Sequence, residues 1–325
     1  MNEEKIYSVV VPVFNEEAVI AESYKRLKNV MDSTNESYEI IFVNDGSIDK
    51  TEEIIEDICK RDENIKLLNF SRNFGHQAAI TAGMRESSGN AVVVIDADLQ
   101  DPPEVIIEMI KKWKQGYDVV YGRRAKREGE TLFKKITSKI FYRFLRNMTN
   151  VDIPVDTGDF RLIDRKVCNV LNSMPERNRY VRGLVSWIGF KQTYVEFIRK
   201  ERFAGETKYS MKKMLKLAGD GITSLSYKPL TIMCYAGGIL FLIGFVSSIL
   251  VIIKNAVLGI DILSLGLLLS INAVMCGIVL GCIGIMGEYV GRILDESRKR
   301  PLYIIDSKIN YKKDREEYEL RQKSS

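Results

Sequence analysis

The sequence predicts an α/β domain built on a mostly parallel sheet, followed by two transmembrane helices near the C-terminus. Three observations predict it. Between residues 6 and 121, short β-branched runs alternate with amphipathic stretches, the pattern of βαβ units. Each run ends in turn or polar residues of the kind that start helices. Residues 230–253 and 262–287 are runs of 24 and 26 residues without a charged side chain. Each is longer than the ~20 residues that span a bilayer core.

Taken in order, the strands are expected at 7–11, 38–43, 65–70, 91–95 and 118–121. Helix starts follow at Asn15-Glu16-Glu17, Asp45-Gly46-Ser47-Ile48-Asp49 and Asp101-Pro102-Pro103. In open α/β sheets ligands bind beyond the carboxyl ends of the strands, so these loops are where chemistry is expected. Between 131 and 148, Leu132, Phe133, Ile136, Ile140, Phe141, Phe144 and Leu145 recur at helical spacing beside Lys134, Lys135, Lys139, Arg143 and Arg146. Such a helix either lies in a membrane interface or packs on the sheet. A second interfacial helix is expected at 209–220, where Lys212, Lys213 and Lys216 read as membrane-surface contacts.

The turn between the two apolar runs holds only Lys254 and Asp261, whereas Lys212, Lys213, Lys216 and Lys228 precede the pair and Arg292, Arg298, Lys299 and Arg300 follow it. The positive-inside rule then puts both termini in the cytoplasm. Within the runs, Gly237, Gly238 and the glycines between 277 and 287 are small residues of the kind that let membrane helices approach closely. The expected organisation is a cytoplasmic domain over 1–228, a two-helix anchor over 229–291 and a cytoplasmic tail over 292–325. The polar, charge-mixed stretch from 306 to 325 reads as a solvated or frayed end.

Composition narrows the function classes. The 325 residues, 46% of them apolar, suffice for one full core and an appendage. Lys and Arg number 48 against 43 acids, a net charge of +5, which does not mark a nucleic-acid binder. Five scattered cysteines without a CxxC pair fit a reducing compartment rather than a disulfide framework or zinc site. The N-terminus carries no signal-peptide pattern.

The most informative cluster is Val94-Ile95-Asp96-Ala97-Asp98-Leu99-Gln100-Asp101-Pro102-Pro103, an apolar strand running into acids just before a proline-initiated helix. Two carboxylates one residue apart can share a hard divalent cation, which would neutralise the charge that builds on a departing diphosphate. Val43-Asn44-Asp45-Gly46-Ser47 is a second strand end; its Asp45 suits the N–H edge of a nucleobase, and equally a turn or helix N-cap. Val11-Pro12-Val13-Phe14-Asn15-Glu16 is the third, where Phe14 and Glu16 could meet base and ribose, and Asn15 and Glu16 could also serve as caps. His76, the only histidine, invites a catalytic reading, but its setting in Phe74-Gly75-His76-Gln77 favours a local structural or helix-start role.

Together these motifs resemble glycosyltransferase family two, the inverting GT-A enzymes with a Rossmann-like sheet, in which the first strand reads VPxxNE, the second ends in DGS and the fourth carries DxD. Further segments resemble its polyprenyl-phosphate branch, the dolichol-phosphate mannose synthases and bacterial undecaprenyl-phosphate glucosyltransferases: Asp98 to Pro103, Ser71-Arg72-Asn73-Phe74-Gly75, Asp156-Thr157-Gly158-Asp159-Phe160-Arg161, and Arg202-Phe203-Ala204-Gly205-Glu206-Thr207-Lys208-Tyr209. The resemblance runs from about residue 6 to 292. It implies a metal-dependent transfer of one sugar, glucose from UDP-glucose as first choice, to polyprenyl phosphate at the cytoplasmic face of the cell membrane. Another sugar (mannose, N-acetylglucosamine or an aminoarabinose derivative) or a catalytically silent nucleotide-binding scaffold are the alternatives. A processive polysaccharide synthase fits less well, because the chain lacks QxxRW and two helices cannot enclose a polymer path.

Carried over by position, the resemblance implies that Pro12, Phe14, Glu16, Val43, Asp45, Asp96, Ala97 and Asp98 line the nucleotide-sugar site, and that Asp98 and Gln100, with Asp96, hold Mg2+ or Mn2+. Asp159 stands where the family places its catalytic base. A phosphate monoester, with a second pKa near ~6, is already largely ionised at neutral pH, so Asp159 is expected to orient acceptor or sugar more than to take a proton. Pairing with Arg161 or Arg165 would be its purely structural role. Arg123, Arg202 and Lys208 are the candidates for the acceptor phosphate, because guanidinium forks and ammonium groups offset its repulsion with the diphosphate. Each could also be an ordinary solvated charge. Relatives assemble through their membrane parts, which makes a homo-oligomer plausible.

Overall fold

The computed structural model describes residues 6–125, 157–177, 179–198, 228–258 and 265–311. The helices expected at 131–148 and 209–220, and the candidates Arg202 and Lys208, lie outside them. The first half alternates strand and helix: β1 (Tyr7–Val13), α1 (Ile20–Asp32), β2 (Tyr38–Asn44), α2 (Thr51–Arg61), β3 (Ile65–Phe70), α3 (His76–Glu86), β4 (Ala91–Val94), α4 (Val105–Lys114) and β5 (Val119–Arg124). Then come β6 (Thr157–Asp164), α5 (Arg165–Ser173), α6 (Val181–Ile188), β7 (Gln192–Phe197), the long helices α7 (Lys228–Leu258) and α8 (Leu265–Ser297), and β8 (Ile305–Ile309).

The strands form one sheet in the order β7-β5-β6-β4-β1-β2-β3-β8. Strands β4, β1, β2 and β3 run parallel, as the βαβ pattern predicts, and β5 is parallel to β7. The sheet is more mixed than expected. β6 enters between β4 and β5 antiparallel to both, and β8 runs antiparallel to β3. Strand β5 continues to Arg124, past the expected end at 121, because β7 pairs with it residue for residue.

Every residue of β1 and β2 is buried, which is why both read as near-continuous apolar runs. Side chains alternate between two cores. Val9, Val11, Phe42, Leu67, Val93 and Phe160 face α1, α2 and α4, while Val10, Ile41, Val43, Leu68, Val94 and Tyr121 face α3, α5 and α6. Helix α3 approaches the sheet through small residues. A Cβ on Gly83 would lie 2.2 Å from Val10 Cγ1, so only glycine fits there. One buried charge crosses the structure: Glu39, fully buried, receives Lys66 Nζ at 2.6 Å and the hydroxyl of Ser8 at 2.6 Å.

Residues 306–311 correct the first part of the expected solvated or frayed end; residues 312–325 lie outside the described ones. Residues 305–309 form the sheet's outer strand, held by Tyr303 stacked on Phe70 (centroids 5.1 Å apart, planes 9° apart) and by Ser71 N–H donating to Ile304 O at 3.1 Å. Asn310, in the left-handed region at φ 65°, donates its amide to the carbonyls of Cys59 and Ile65, both at 2.8 Å. The open edge of β3 is thus covered, and alternation of Ile305, Ser307 and Ile309 suits that edge better than charge counting suggested.

Helices α7 and α8 contain stretches long and apolar enough to cross a membrane, Lys228–Ser247 and Val274–Ser297, with their apolar side chains exposed. Among the described residues, a Cβ on Gly237, Gly238, Gly277, Gly281, Gly284 or Gly287 would meet nothing within 4 Å.

Candidate active site

The strand-end loops converge where the sheet topology brings them. Asp45 N–H donates to Val13 O at 2.9 Å, locking the first loop to the second. Asn15, at φ 54°, completes the clasp: its N–H donates to Ser47 Oγ at 3.0 Å and its Oδ1 accepts from Ile48 N at 2.9 Å. Gly46 sits at φ 68° with its Cα so close to the next loop that a Cβ would lie 2.6 Å from Arg72 C. Only glycine satisfies both demands. The carboxylate of Asp45 is buried, and its Oδ1 accepts from Phe74 N at 2.7 Å while its Oδ2 accepts from Gly75 N at 3.0 Å. Burial raises its pKa, though these two amides oppose the shift. Asp45 therefore holds the 71–75 loop to the end of β2, whose Val43 is packed in the core beneath α3.

The acidic centre follows from register. Val94 of β4 pairs with Arg161 of β6 in antiparallel fashion, so two residues further along the ladder Asp159 comes beside Asp96. A single imidazole nitrogen spans them: His76 Nε2 lies 3.4 Å from Asp96 Oδ1 and 3.3 Å from Asp159 Oδ2. His76 does begin α3, as expected, but its side chain belongs to the centre. Asp159, only 6% exposed, also meets Arg182 through two bonds, Nε to Oδ1 at 2.8 Å and Nη2 to Oδ2 at 3.0 Å, with Arg161 Nη2 at 3.4 Å and Gln77 Nε2 at 3.4 Å. Gln77 in turn accepts from Val181 N at 3.2 Å, tying α6 to α3. Arg165, the other partner considered for Asp159, instead donates to Gly89 O and Ser87 Oγ.

The charges follow. Burial alone would raise Asp159, but Arg182 and His76 hold it well below the usual carboxylate range. His76 is raised to about 9: burial opposes its charge, and the hydrogen bond to Asp159 with the fields of Asp96 and Asp159 outweighs it. Asp96 is pushed up to about 6 by burial, with Asp159, Asp101 and Asp98 adding to the rise and His76 opposing it. At neutral pH the centre holds an ionised Asp159 gripped by cations beside an Asp96 whose charge is crowded by its neighbours.

Asp98 accepts from Gln100 N at 3.1 Å across Leu99, which takes φ 57° although its side chain is buried. A non-glycine residue held there is a strained turn of the kind found at functional sites. Asp96 Oδ1 is buried and, among the described residues, accepts no hydrogen bond. An acid cluster in which Asp96 Oδ1 accepts no hydrogen bond, with His76 Nε2 3.4 Å away, fits a divalent cation, which would supply further positive charge. Among the described residues, no three His, Cys, Asp or Glu side chains are grouped so as to hold a metal ion by themselves.

Arg123 is not brought to this centre. It lies over the Tyr194 ring at 4.7 Å and 3.8 Å from Glu196, while its neighbour Arg124 faces inward, 3.5 Å from the buried Asp101. Gly158 makes room for it, since a Cβ there would fall 2.9 Å from Arg124 Nη2. Sequence reasoning missed Arg124, Gln77 and Arg182. Arg182 stands 23 residues from Asp159 in an unremarkable helix start, and only the fold joins them.

The chain belongs to glycosyl transferase family 2, whose model matches residues 8–171. It is a glycosyltransferase. Within that family it is 58% identical over 299 residues to the glycosyltransferase YkcC of Bacillus subtilis strain 168, covering 92% of this chain and 93% of the relative. It is 40% identical over 298 residues to the prophage bactoprenol glucosyl transferase homolog of Escherichia coli K12, covering 92% and 97%. Among solved structures, glucosyl-3-phosphoglycerate synthase from Mycobacterium tuberculosis aligns with a TM-score of 0.47 at 19% identity, covering 67% of this chain and 78% of that one.

Proposed function

We propose that this enzyme transfers a single sugar, glucose from UDP-glucose as first choice, to the phosphate of a polyprenyl lipid at the cytoplasmic face of the cell membrane, with inversion. The observation that carries the reading is the pairing of Asp96 with Asp159 across His76 in a chain that also has two membrane-length helices. Relatives named as bactoprenol glucosyl transferases, matched over nearly their whole length, support the lipid acceptor. The antiparallel docking of β8 on β3 supports a common side for the catalytic domain and the segment after α8, as the basic flanks of the helices also require.

In this reading the donor lies along Pro12, Phe14, Glu16, Val43, Asp45 and Ala97, with its diphosphate at Asp96, Asp98 and Gln100. Asp98, Gln100 and Asp96 would hold a divalent cation, Mg2+ or Mn2+, which would offset charge on the diphosphate. An oxygen of the lipid phosphate attacks the anomeric carbon from the face opposite the diphosphate. The new C–O bond forms as the bond to the nucleoside diphosphate breaks, and the bonding pair leaves with that group. No proton need be removed, because the acceptor is already ionised. Asp159, kept charged and buried, serves orientation rather than base catalysis.

The test is transfer of labelled sugar from UDP-glucose to undecaprenyl phosphate by the purified protein in detergent, with Mg2+ or Mn2+ and with Asp98→Ala alongside. Labelled lipid from the wild type that is lost with EDTA and in the variant is the expected outcome. Equal labelling by the variant would refute the assigned metal role, and no labelling from UDP-glucose, UDP-N-acetylglucosamine or GDP-mannose would refute the acceptor.

A further inference from the structure

Arg182 is the cation on Asp159 that is turned outward. Arg161 is fully buried: its Nε and Nη2 bond Asp159 O, Gly158 O and the carboxylate, and its Nη1, shut off from solvent, has no hydrogen-bond partner among the described residues. Arg182, with its side chain 28% exposed, uses its Nε–Nη2 edge on Asp159 and, among the described residues, no other part of the guanidinium is bonded. A guanidinium has five N–H donors in a fixed plane, so the second fork, Nη1 with the outer N–H of Nη2, still points away from the carboxylate. Asp159 lies behind and His76 flanks it on the Asp96 side. An anion reaching the centre from solvent therefore meets Arg182 before Asp159.

We infer that Arg182 receives the phosphate monoester of the acceptor on its free fork, and that Asp159 is the positioning residue that aims it. The inference rests on the proposed transfer to a lipid phosphate and adds its phosphate-binding residue. It gives a reason for a carboxylate that no proton transfer needs: a buried, ionised Asp159 fixes the plane of the guanidinium, and fork-to-oxyanion binding depends on that plane. The position also suits the chemistry. Only one imidazole nitrogen separates Asp159 from Asp96, so a phosphate on Arg182 stands across from the donor diphosphate, which would sit on Asp96 and Asp98.

The phosphate bound there could belong to the acceptor or to the donor, and kinetics with both substrates varied separates them. With full-length enzyme in detergent, Arg182→Gln is expected to lower kcat/KM for undecaprenyl phosphate about 100-fold, within the range for loss of one partner of a hydrogen-bonded charge pair. The donor dissociation constant, measured by titration with UDP-glucose and Mn2+, should stay within about twofold. Retained donor binding also shows that the variant is folded. Arg182→Lys, a charge without the fork, should recover only part of the loss. Asp159→Asn should raise the KM for lipid, and Arg182→Gln should add little to it. A raised donor constant with unchanged lipid KM would assign Arg182 to the diphosphate and overturn the inference, as would a fall in kcat alone in Asp159→Asn. Binding of farnesyl phosphate to wild type and to Arg182→Gln tests the site without turnover. If no donor supports transfer, weaker binding by the variant still upholds the phosphate site while the proposed reaction fails, and equal binding overturns the site.

Discussion

Replacing Asp159 by Asn exchanges one carboxylate oxygen for an amide and removes the counterion of Arg161 and Arg182 and one of the two carboxylates beside His76. Arg161, 1% exposed, keeps its bonds to Gly158 O and Asp159 O but loses its ion pair, and Arg182 and His76 lose theirs at the same centre. Leaving a buried charge unpaired costs about 3–5 kcal/mol. The exposed edges of Arg182 and His76 place this case at the lower end, about 3 kcal/mol. For a domain of this size each kcal/mol shifts the midpoint by roughly 2–4 °C, so Asp159→Asn should melt about 6–12 °C below wild type. The pH dependence carries a sign. Asp159 has a depressed folded pKa, so its stabilisation is present above the ordinary carboxylate range and is lost only in strong acid; it is constant from pH 5 to 9. His76 is raised from 6.5 to about 9, so its contribution is complete below pH 6.5 and is lost as pH rises through about 9. The gap between wild type and variant should therefore narrow between pH 6.5 and 9. The assay is thermal unfolding of both proteins in detergent at pH 6, 7.5 and 9.5, followed by intrinsic fluorescence. Equal midpoints, or a gap that widens with pH, would refute the reasoning about this cluster.

Two further substitutions test the frame that presents the site. Gly46→Ala drives a Cβ to 2.6 Å from Arg72 C at a left-handed position, so the loop holding Asp45 must move. Its dissociation constant for UDP-glucose should rise at least tenfold, read by titration, with the Arg182-dependent binding of farnesyl phosphate retained. Asn310→Ala removes two 2.8 Å amide bonds to Cys59 and Ile65 and a residue tolerant of φ 65°, for a loss of about 2 kcal/mol. Hydrogen exchange of Leu67 and Leu68 amides on β3 should accelerate, while exchange in β1 stays slow.

The sequence by itself determined the parts whose signal is local. Short, near-continuous apolar runs, strand ends closed by Asp45-Gly46-Ser47 and Asp96-Ala97-Asp98, and two uncharged stretches of membrane length are each written within a dozen or two residues, so the α/β domain and its two long helices could be read directly. Tertiary structure decided whatever depends on which strand lies beside which. The antiparallel entry of β6 brings Asp159 to Asp96, a pairing between residues far apart in the chain that no period encodes. It also decided that His76 lies in the centre, because the first turn of α3 sits over both carboxylates, and that Arg182, carried by a different helix, closes on the same carboxylate. The polar C-terminal stretch looked solvated because composition reports the exposed face of an edge strand. Its place on β3 is fixed by backbone hydrogen bonds and by Asn310, which bonds to carbonyls rather than to any side chain that a sequence pattern would reveal.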